Sequence, residues 1–404
     1  MAEISGVPTA DIDNVDGFFT TQGGGGVSPN SLLTGAGTMI AFSISAPFYP
    51  SINYEFNKRS YSSHSFTKLC ASAEFEIVWG IKSDGTLWFC SVPNGGSGYF
   101  IQAIPTVDQD GEWHQYGTDT DWTDISSGRQ CFGAIKGGAY YFTGRNNRYQ
   151  AGNGSGVQRG DWTLENNSLT WAQCALGEDH TVLRTSTGEV YTCGLNTDYA
   201  TAQGTTSGYT TVLTREDNLL TSVTWVGAGN GDSTAVIGGQ IYFTGQNSGP
   251  HAGFQSTSQS DVNGFTAVNT SITDVVSTHH QSRYSLIAVT TNGSIRFAGY
   301  GTSRGRPDNS TASQTSATNQ LDILTGAGTG WTSFFGTASD SSGSRYAGVG
   351  IKSGSMYIGG SVFVAQIKGL TNNAITNGSW SSLTNSGTPS AGSVGKPLMV
   401  VSWS

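Results

Sequence analysis

The chain has 404 residues, with 19 Lys+Arg against 28 Asp+Glu for a formal net charge of -9, and glycine fills 57 positions. That glycine share is about twice the ~7% of average proteins and follows no G-X-Y period, which excludes collagen. Hydrophobic residues at 36% and aromatics at 11% exclude a disordered chain and point to a turn-rich, weakly charged β protein.

The chain opens on MAEISGVPTADIDNVDGF, which lacks the basic and apolar regions of a secretory signal, and no run of ~18 apolar residues predicts a membrane span. Residues 1–30 carry a short echo, Ile4-Ser5-Gly6-Val7 followed by Ile12 and Val15-Asp16-Gly17, and then a Gly23–Gly26 hinge. These phrases are similar to N-terminal segments of tailed-bacteriophage virion proteins. The resemblance implies a docking arm, with Ile4, Val7, Ile12, Val15 and Phe18 facing other virion subunits. The same stretch contains DIDNVDG (Asp11 to Gly17), but Val15 and Gln22 stand where a calcium loop needs oxygen ligands.

From residue 31 onward the chain reads as one repeat domain, 31–404. A unit of glycine, any residue, apolar, aromatic, apolar, small, glycine occurs as GAYYFTG from Gly138, GEVYTCG from Gly188 and GQIYFTG from Gly239. Weaker copies begin at Gly85, Gly293 and Gly354, so the leading glycines are 53, 50, 51, 54 and 61 residues apart. A Trp or its substitute precedes each copy, often followed by a hydroxyl residue: Phe66, Trp122, Trp171, Trp225, Ile272, Trp331 and Trp380. The stretch from the Trp to the glycine reads as a buried strand with a tight turn, such as Gly137-Gly138 or Asn292-Gly293. The Φ-Tyr-Φ strand follows, then a polar loop. Helical periodicity is absent throughout. Units of ~50 residues that cannot bury their own faces stack radially, so the expected fold is an all-β, seven-bladed β-propeller with a short extended N-terminal arm. The short repeat at Gly395 leaves six blades open, and Met39–Phe56 is expected to supply the strand that closes the last blade.

The pattern resembles the regulator of chromosome condensation repeat. Trp171, Gly177, His180, Thr187-Gly188, Tyr191, Gly194 and Asn196 carry it most fully, and Gly144 with Asn146 and Gln150-Ala151-Gly152 resembles the end of that repeat. The resemblance implies the propeller fold. It implies no exchange activity here, since the chain lacks the basic tail and the positive charge of a chromatin binder.

Chemistry-bearing patterns are few. Arg145, Arg148 and Arg159, and separately Arg304 and Arg306, read as scattered loop charges, which argues against a nucleic-acid partner. Cys70, Cys90, Cys131, Cys174 and Cys193 are widely spaced in apolar stretches and read as buried free thiols. Ser303 lies in GTSRG, but a nucleophile elbow needs a strand-to-helix turn and RPDNSTASQ follows. Asp108, Asp110, Asp119 and Asp121 are the best-placed hard-cation ligands, against solvated loop acids as the plainer reading. His180 sits at the repeat's own His position and is expected to bond between strands; His279 and His280 are adjacent and point to opposite faces of a strand. No catalytic, cofactor or metal residue is assigned. Loops after the Φ-Tyr-Φ strands are rich in Asn, Ser, Gly, Tyr and Arg, so Tyr149, Tyr199, Tyr209, Tyr300 and Arg304 are the candidate recognition residues. The functional expectation is a non-enzymatic phage virion protein located in the particle, with a role in host attachment through a surface glycan or protein. Capsid decoration, a bacterial adhesin and a propeller hydrolase are the competing classes.

Overall fold

A computed structural model describes residues 37–42, 58–62, 66–71, 77–91, 113–206, 208–247, 260–268, 270–280, 285–299, 321–323, 327–336, 347–352, 355–360, 381–382 and 399–403. Its strands are β1 (Gly37–Phe42) and β2 (Lys58–Ser62), then β3 (Phe66–Ala71), β4 (Ile77–Lys82), β5 (Leu87–Ser91) and β6 (Trp113–Tyr116). Next come β7 (Trp122–Ser127), β8 (Cys131–Lys136), β9 (Ala139–Gly144) and β10 (Arg159–Asn166). The third group is β11 (Trp171–Leu176), β12 (His180–Thr185), β13 (Val190–Leu195) and β14 (Tyr209–Arg215). The fourth is β15 (Trp225–Ala228), β16 (Asp232–Ile237), β17 (Gln240–Gly245) and β18 (Val262–Ala267). The fifth is β19 (Val275–His280), β20 (Ser285–Thr290), β21 (Ile295–Gly299) and β22 (Asp322–Ile323). Last are β23 (Trp331–Gly336), β24 (Ala347–Lys352), β25 (Ser355–Gly360), β26 (Ser381–Ser382) and β27 (Met399–Trp403).

Among the described residues these strands form six four-stranded antiparallel sheets, each from consecutive strands, and one three-stranded sheet ordered β2-β1-β27. The first strands β3, β7, β11, β15, β19 and β23 adjoin one another in chain order, while β27 adjoins both β3 and β24. The result is an all-β propeller. Its three-stranded sheet joins the two ends of the chain, with Met39 opposite Val401 and Ala41 opposite Met399.

Four of the six four-stranded sheets repeat the same local physics, whereas β15 pairs without a register slip and β19 opens on Val275. The Trp that marks a repeat opens the first strand, and pairing with the second strand slips by one residue just after it, between Trp122 and Asp124 and between Trp171 and Gln173. Phe66 and Lys68 show the same slip. This bulge accounts for the hydroxyl residue beside the marker: Thr67 and Thr123 sit in the bulge and donate Oγ1 to the Ile81 and Ile135 carbonyls at 3.0 and 3.4 Å. The bulge also turns the next side chain toward the following sheet. Asp124 accepts the Cys174 N–H at 2.8 Å, and the Gln173 amide both donates to Val226 O and accepts from Val226 N at 3.1 Å. Lys68 Nζ lies 3.1 Å from Asp124.

The core lies between consecutive sheets. Trp79, Phe89 and Ile81 meet Trp122 and Phe132; Phe142 and Tyr140 meet Trp171 and Leu183; Val182 and Val190 meet Val226 and Ala235. Trp171 packs edge-on against Tyr191 with ring centroids 5.3 Å apart. Tyr191 itself is half-buried, because the central residue of Φ-Tyr-Φ points away from the face that its two neighbours bury.

Four details differ from the sequence expectation. The stretch from Trp171 to Gly188 is two strands, since Gly177 to Asp179 turns the chain between β11 and β12. Part of each polar loop is a fourth strand. Ile272 is buried in a connector, and the first strand of its sheet starts at Val275. Ser381–Ser382, after the Trp380 marker, pairs with β25 as a fourth strand rather than opening a seventh repeat.

Candidate functional site

The loop between β9 and β10 is built around one side chain. Asn146 is fully buried; its Oδ1 accepts the Ala151 N–H at 2.8 Å, and its Nδ2 donates to Ser155 O at 2.7 Å and Val157 O at 3.1 Å. Asn196 repeats this one sheet later, bonding Thr201 N and Thr205 O. Asn247 donates to Ser260 O. The clamp closes a tight ring in which Asn147 is exposed, Arg148 and Tyr149 are partly exposed and Gln150 is buried. Tyr149 stands at the tip with φ 62 and Tyr199 at the equivalent place with φ 65, a conformation that costs a bulky residue about 1 kcal/mol.

Tyr149 reaches the neighbouring sheet. Its ring lies 5.3 Å from that of Tyr209, the two planes inclined by 56°. Arg148 Nη1 donates to the Tyr209 hydroxyl, with the guanidinium carbon 5.8 Å from the Tyr209 ring centroid. Arg145, on the same loop, donates to Gln130 Oε1 at 2.8 Å and Asn147 Oδ1 at 2.7 Å. Both arginines therefore rest on neutral acceptors, whereas Arg129 pairs with Glu178 at 2.7 Å and Arg159 with Glu165 at 2.5 Å.

Of the candidate recognition residues, the structure brings Tyr149 and Tyr209 together. Tyr209 is 37% exposed and is the first residue of a strand rather than part of a loop. Tyr199 repeats the backbone position of Tyr149, and its carbonyl accepts a bond from Thr244 Oγ1 at 2.8 Å. Tyr300, Arg304, Ser303 and the arm residues Ile4, Val7, Ile12, Val15 and Phe18 lie outside the described residues. Sequence reasoning missed Arg148 as the partner of Tyr209 and Asn146 as the clamp of its loop. The available signal was charge segregation: residues 125–160 hold Arg129, Lys136, Arg145, Arg148 and Arg159 and no Asp or Glu.

Among the described residues, several titratable groups are engaged within the fold. His180 is buried with Nε2 2.9 Å from Ser233 Oγ, and burial lowers its pKa from 6.5 to about 4. His280 Nδ1 lies 3.0 Å from Asp232 Oδ1, and its Nε2 lies 3.1 Å from Thr234 Oγ1. His279 Nε2 meets Ser277 Oγ at 3.1 Å. Asp119 pairs with Lys136 at 2.6 Å, and Asp124 is buried among Lys68 and the Cys174 amide; Asp108 and Asp110 lie outside the described residues. Among the described residues no three His, Cys, Asp or Glu side chains gather as a metal site. Cys131, Cys174 and Cys193 are buried free thiols, and burial raises Cys131 to about 12, which leaves no reactive thiolate there. Cys70 is only partly buried. The Cys90 side chain lies outside the description.

Comparison with known proteins agrees with this geometry. The regulator of chromosome condensation (RCC1) repeat family matches residues 172–199, which span β11, β12, β13 and the start of the Asn196 loop. No curated protein sequence matches the chain. Human WBSCR16 is similar in structure, with TM-score 0.63 and 15% identity over 91% of this chain and 98% of that one. Prp20p of Saccharomyces cerevisiae gives TM-score 0.62 and 12% identity over 95% and 91%. The same yeast protein bound to Kap60 gives 0.63 and 11% over 99% and 93%. The chain is an all-β propeller that shares its fold with these structures and matches the RCC1 repeat over residues 172–199.

Proposed function

We propose that this chain is a non-enzymatic structural protein of a bacteriophage virion, displaying its propeller on the particle for host attachment and held there by residues 1–30. The seven sheets are read as seven blades. The observation that carries the recognition role is the partly exposed Arg148–Tyr149–Tyr209 cluster, two side chains of the Asn146 loop packed on the first residue of β14. Among the described residues, the imidazoles of His180 and His280 are bonded between strands and the thiols of Cys131, Cys174 and Cys193 are buried. The N-terminal phrases around Ile4 and Val15, similar to those of tailed-phage proteins, support the virion assignment. Prp20p binds Gsp1p and histones, and neither partner is carried over to this chain at 12% identity and a net charge of -9.

Immunogold labelling of purified virions with antibody against the propeller tests this reading. Label at the tail supports attachment, label on the head assigns capsid decoration, and no label removes the virion role in favour of an adhesin. Deleting residues 1–26 is expected to abolish incorporation while leaving the thermal melt unchanged. Normal incorporation of the truncated chain would refute the docking arm.

A further inference from the structure

The partner chemistry of the rim cluster follows from what its groups lack. Arg148 has five N–H donors in a planar fork, its side-chain acceptor among the described residues is a neutral phenol, and its Nε–H is buried without an acceptor, so a ligand would meet the Nη groups. Arg145, three residues earlier on the same loop, likewise meets only amide oxygens. Arg129, Lys136 and Arg159 of the same stretch are each paired with a carboxylate, so Arg145 and Arg148 are the cations there with neutral side-chain acceptors among the described residues. Beside them the Tyr149 and Tyr209 rings form an inclined pair whose C–H-binding faces hold little rotational freedom to lose. The Asn147 side chain, exposed at the loop tip, adds an amide of the kind that bonds hydroxyls.

A carboxylate with an adjoining flat, hydroxylated ring satisfies all of these groups at once. We propose that the Arg148, Tyr149 and Tyr209 cluster, with Arg145 on the same loop adding positive charge, binds the acidic sugar residues of an anionic surface polysaccharide, the carboxylate on Arg148 and the pyranose face on the tyrosines. A peptide is the weaker fit. It would dock by adding to the edge of β14, and the main chain there is already occupied: Gly154 N donates to Thr211 O at 2.9 Å and Leu213 N to Gly152 O at 2.8 Å. Nucleic acid is disfavoured by the net charge of -9, which also suppresses polyanion adsorption elsewhere on the surface.

This inference deepens the attachment reading and rests on it, but its test is separate from particle location. Calorimetry of the full-length chain is run with oligogalacturonate and with oligosialic acid, and with neutral dextran and a poly-glutamate peptide as comparators. Binding to at least one acidic oligosaccharide, none to dextran, and at least tenfold weaker affinity in both Arg148→Gln and Tyr209→Ala is the expected result. The melting temperatures of the variants show that each remains folded. Silence with both acidic sugars overturns the proposal, as does binding that Arg148→Gln leaves unchanged. Poly-glutamate binding as tight as the sugars overturns it in favour of a charge-reading peptide site. Virion label at the tail combined with silence in calorimetry removes the sugar chemistry alone and leaves the attachment reading standing.

Discussion

His180 Nε2 stands 2.9 Å from Ser233 Oγ, joining the second strand of one sheet to the second strand of the next. Ser233 in turn donates to the Ala200 carbonyl at 2.8 Å. Its neighbours Asp232 and Thr234 face the other way and meet His280 of the following sheet. Three consecutive residues of β16 are thus held by an imidazole from either side, as the two-residue period of a strand requires.

That arrangement makes stability depend on pH. Burial lowers His180 and His279 from 6.5 to about 4, with the nearby Asp232 opposing the shift at His180. Between those values the unfolded chain binds more protons than the folded one, so stability is full above pH 6.5 and falls as pH drops toward 4. His180 alone accounts for a loss of roughly 2–3 kcal/mol between pH 7 and 4.5. His180→Gln removes that share, so its urea midpoint should move less than the wild-type midpoint over the same interval. Equal shifts would mean that His180 is not neutral in the fold.

Trp171 is 2% exposed and touches both its own sheet and the preceding one. Trp171→Ala should therefore destabilise the protein by about 3–5 kcal/mol, the range for large aromatic truncations in a core. A melt shifted no more than that of an exposed-site variant such as Gln158→Ala would refute the packing assignment.

The closing glycine of the repeat is required by space as well as by conformation. Gly194 has φ 107, and a Cβ there would lie 2.5 Å from His180 Cα and 2.6 Å from Asp179 O. Gly117 has φ 62 with nothing within 4 Å of the same added atom. Gly194→Ala should cost roughly 3–5 kcal/mol through strain and overlap together, and Gly117→Ala about 1 kcal/mol through conformation alone. Similar losses in denaturant titrations of the two variants would show that the close approach at Gly194 is not real.

The parts of the fold that were legible in the sequence are those with a strict local requirement. Gly138 and Gly239 need positive φ in two-residue turns, Trp171 needs a core, and His180 needs a partner within one, so each left a fixed spacing. The fourth strands left none. Arg159–Asn166 and Tyr209–Arg215 are edge strands, half exposed and interrupted by register shifts, so apolar alternation never develops and Tyr209 reads as loop. The rim cluster was hidden for a different reason. Arg148 and Tyr209 are 61 residues apart, and only the packing of adjacent sheets brings them together.

The same distinction separates two adjacent asparagines in the rim loop. Asn146 makes three bonds to main-chain groups, one of them the buried Ala151 N–H, whereas Asn147 is exposed and accepts from Arg145 Nε. Asn146→Ala leaves the Ala151 N–H without an acceptor in the interior, so a loss of about 1–3 kcal/mol is expected. Asn147→Ala should fall within about 0.5 kcal/mol of wild type. The buried variant should also lose protection of the Ala151 and Gly152 amides in hydrogen exchange, because the turn that holds Tyr149 at φ 62 depends on the clamp. Unchanged exchange at those amides would mean that the loop keeps its shape without Asn146, and the partly exposed position of Arg148 and Tyr149 would then need another cause.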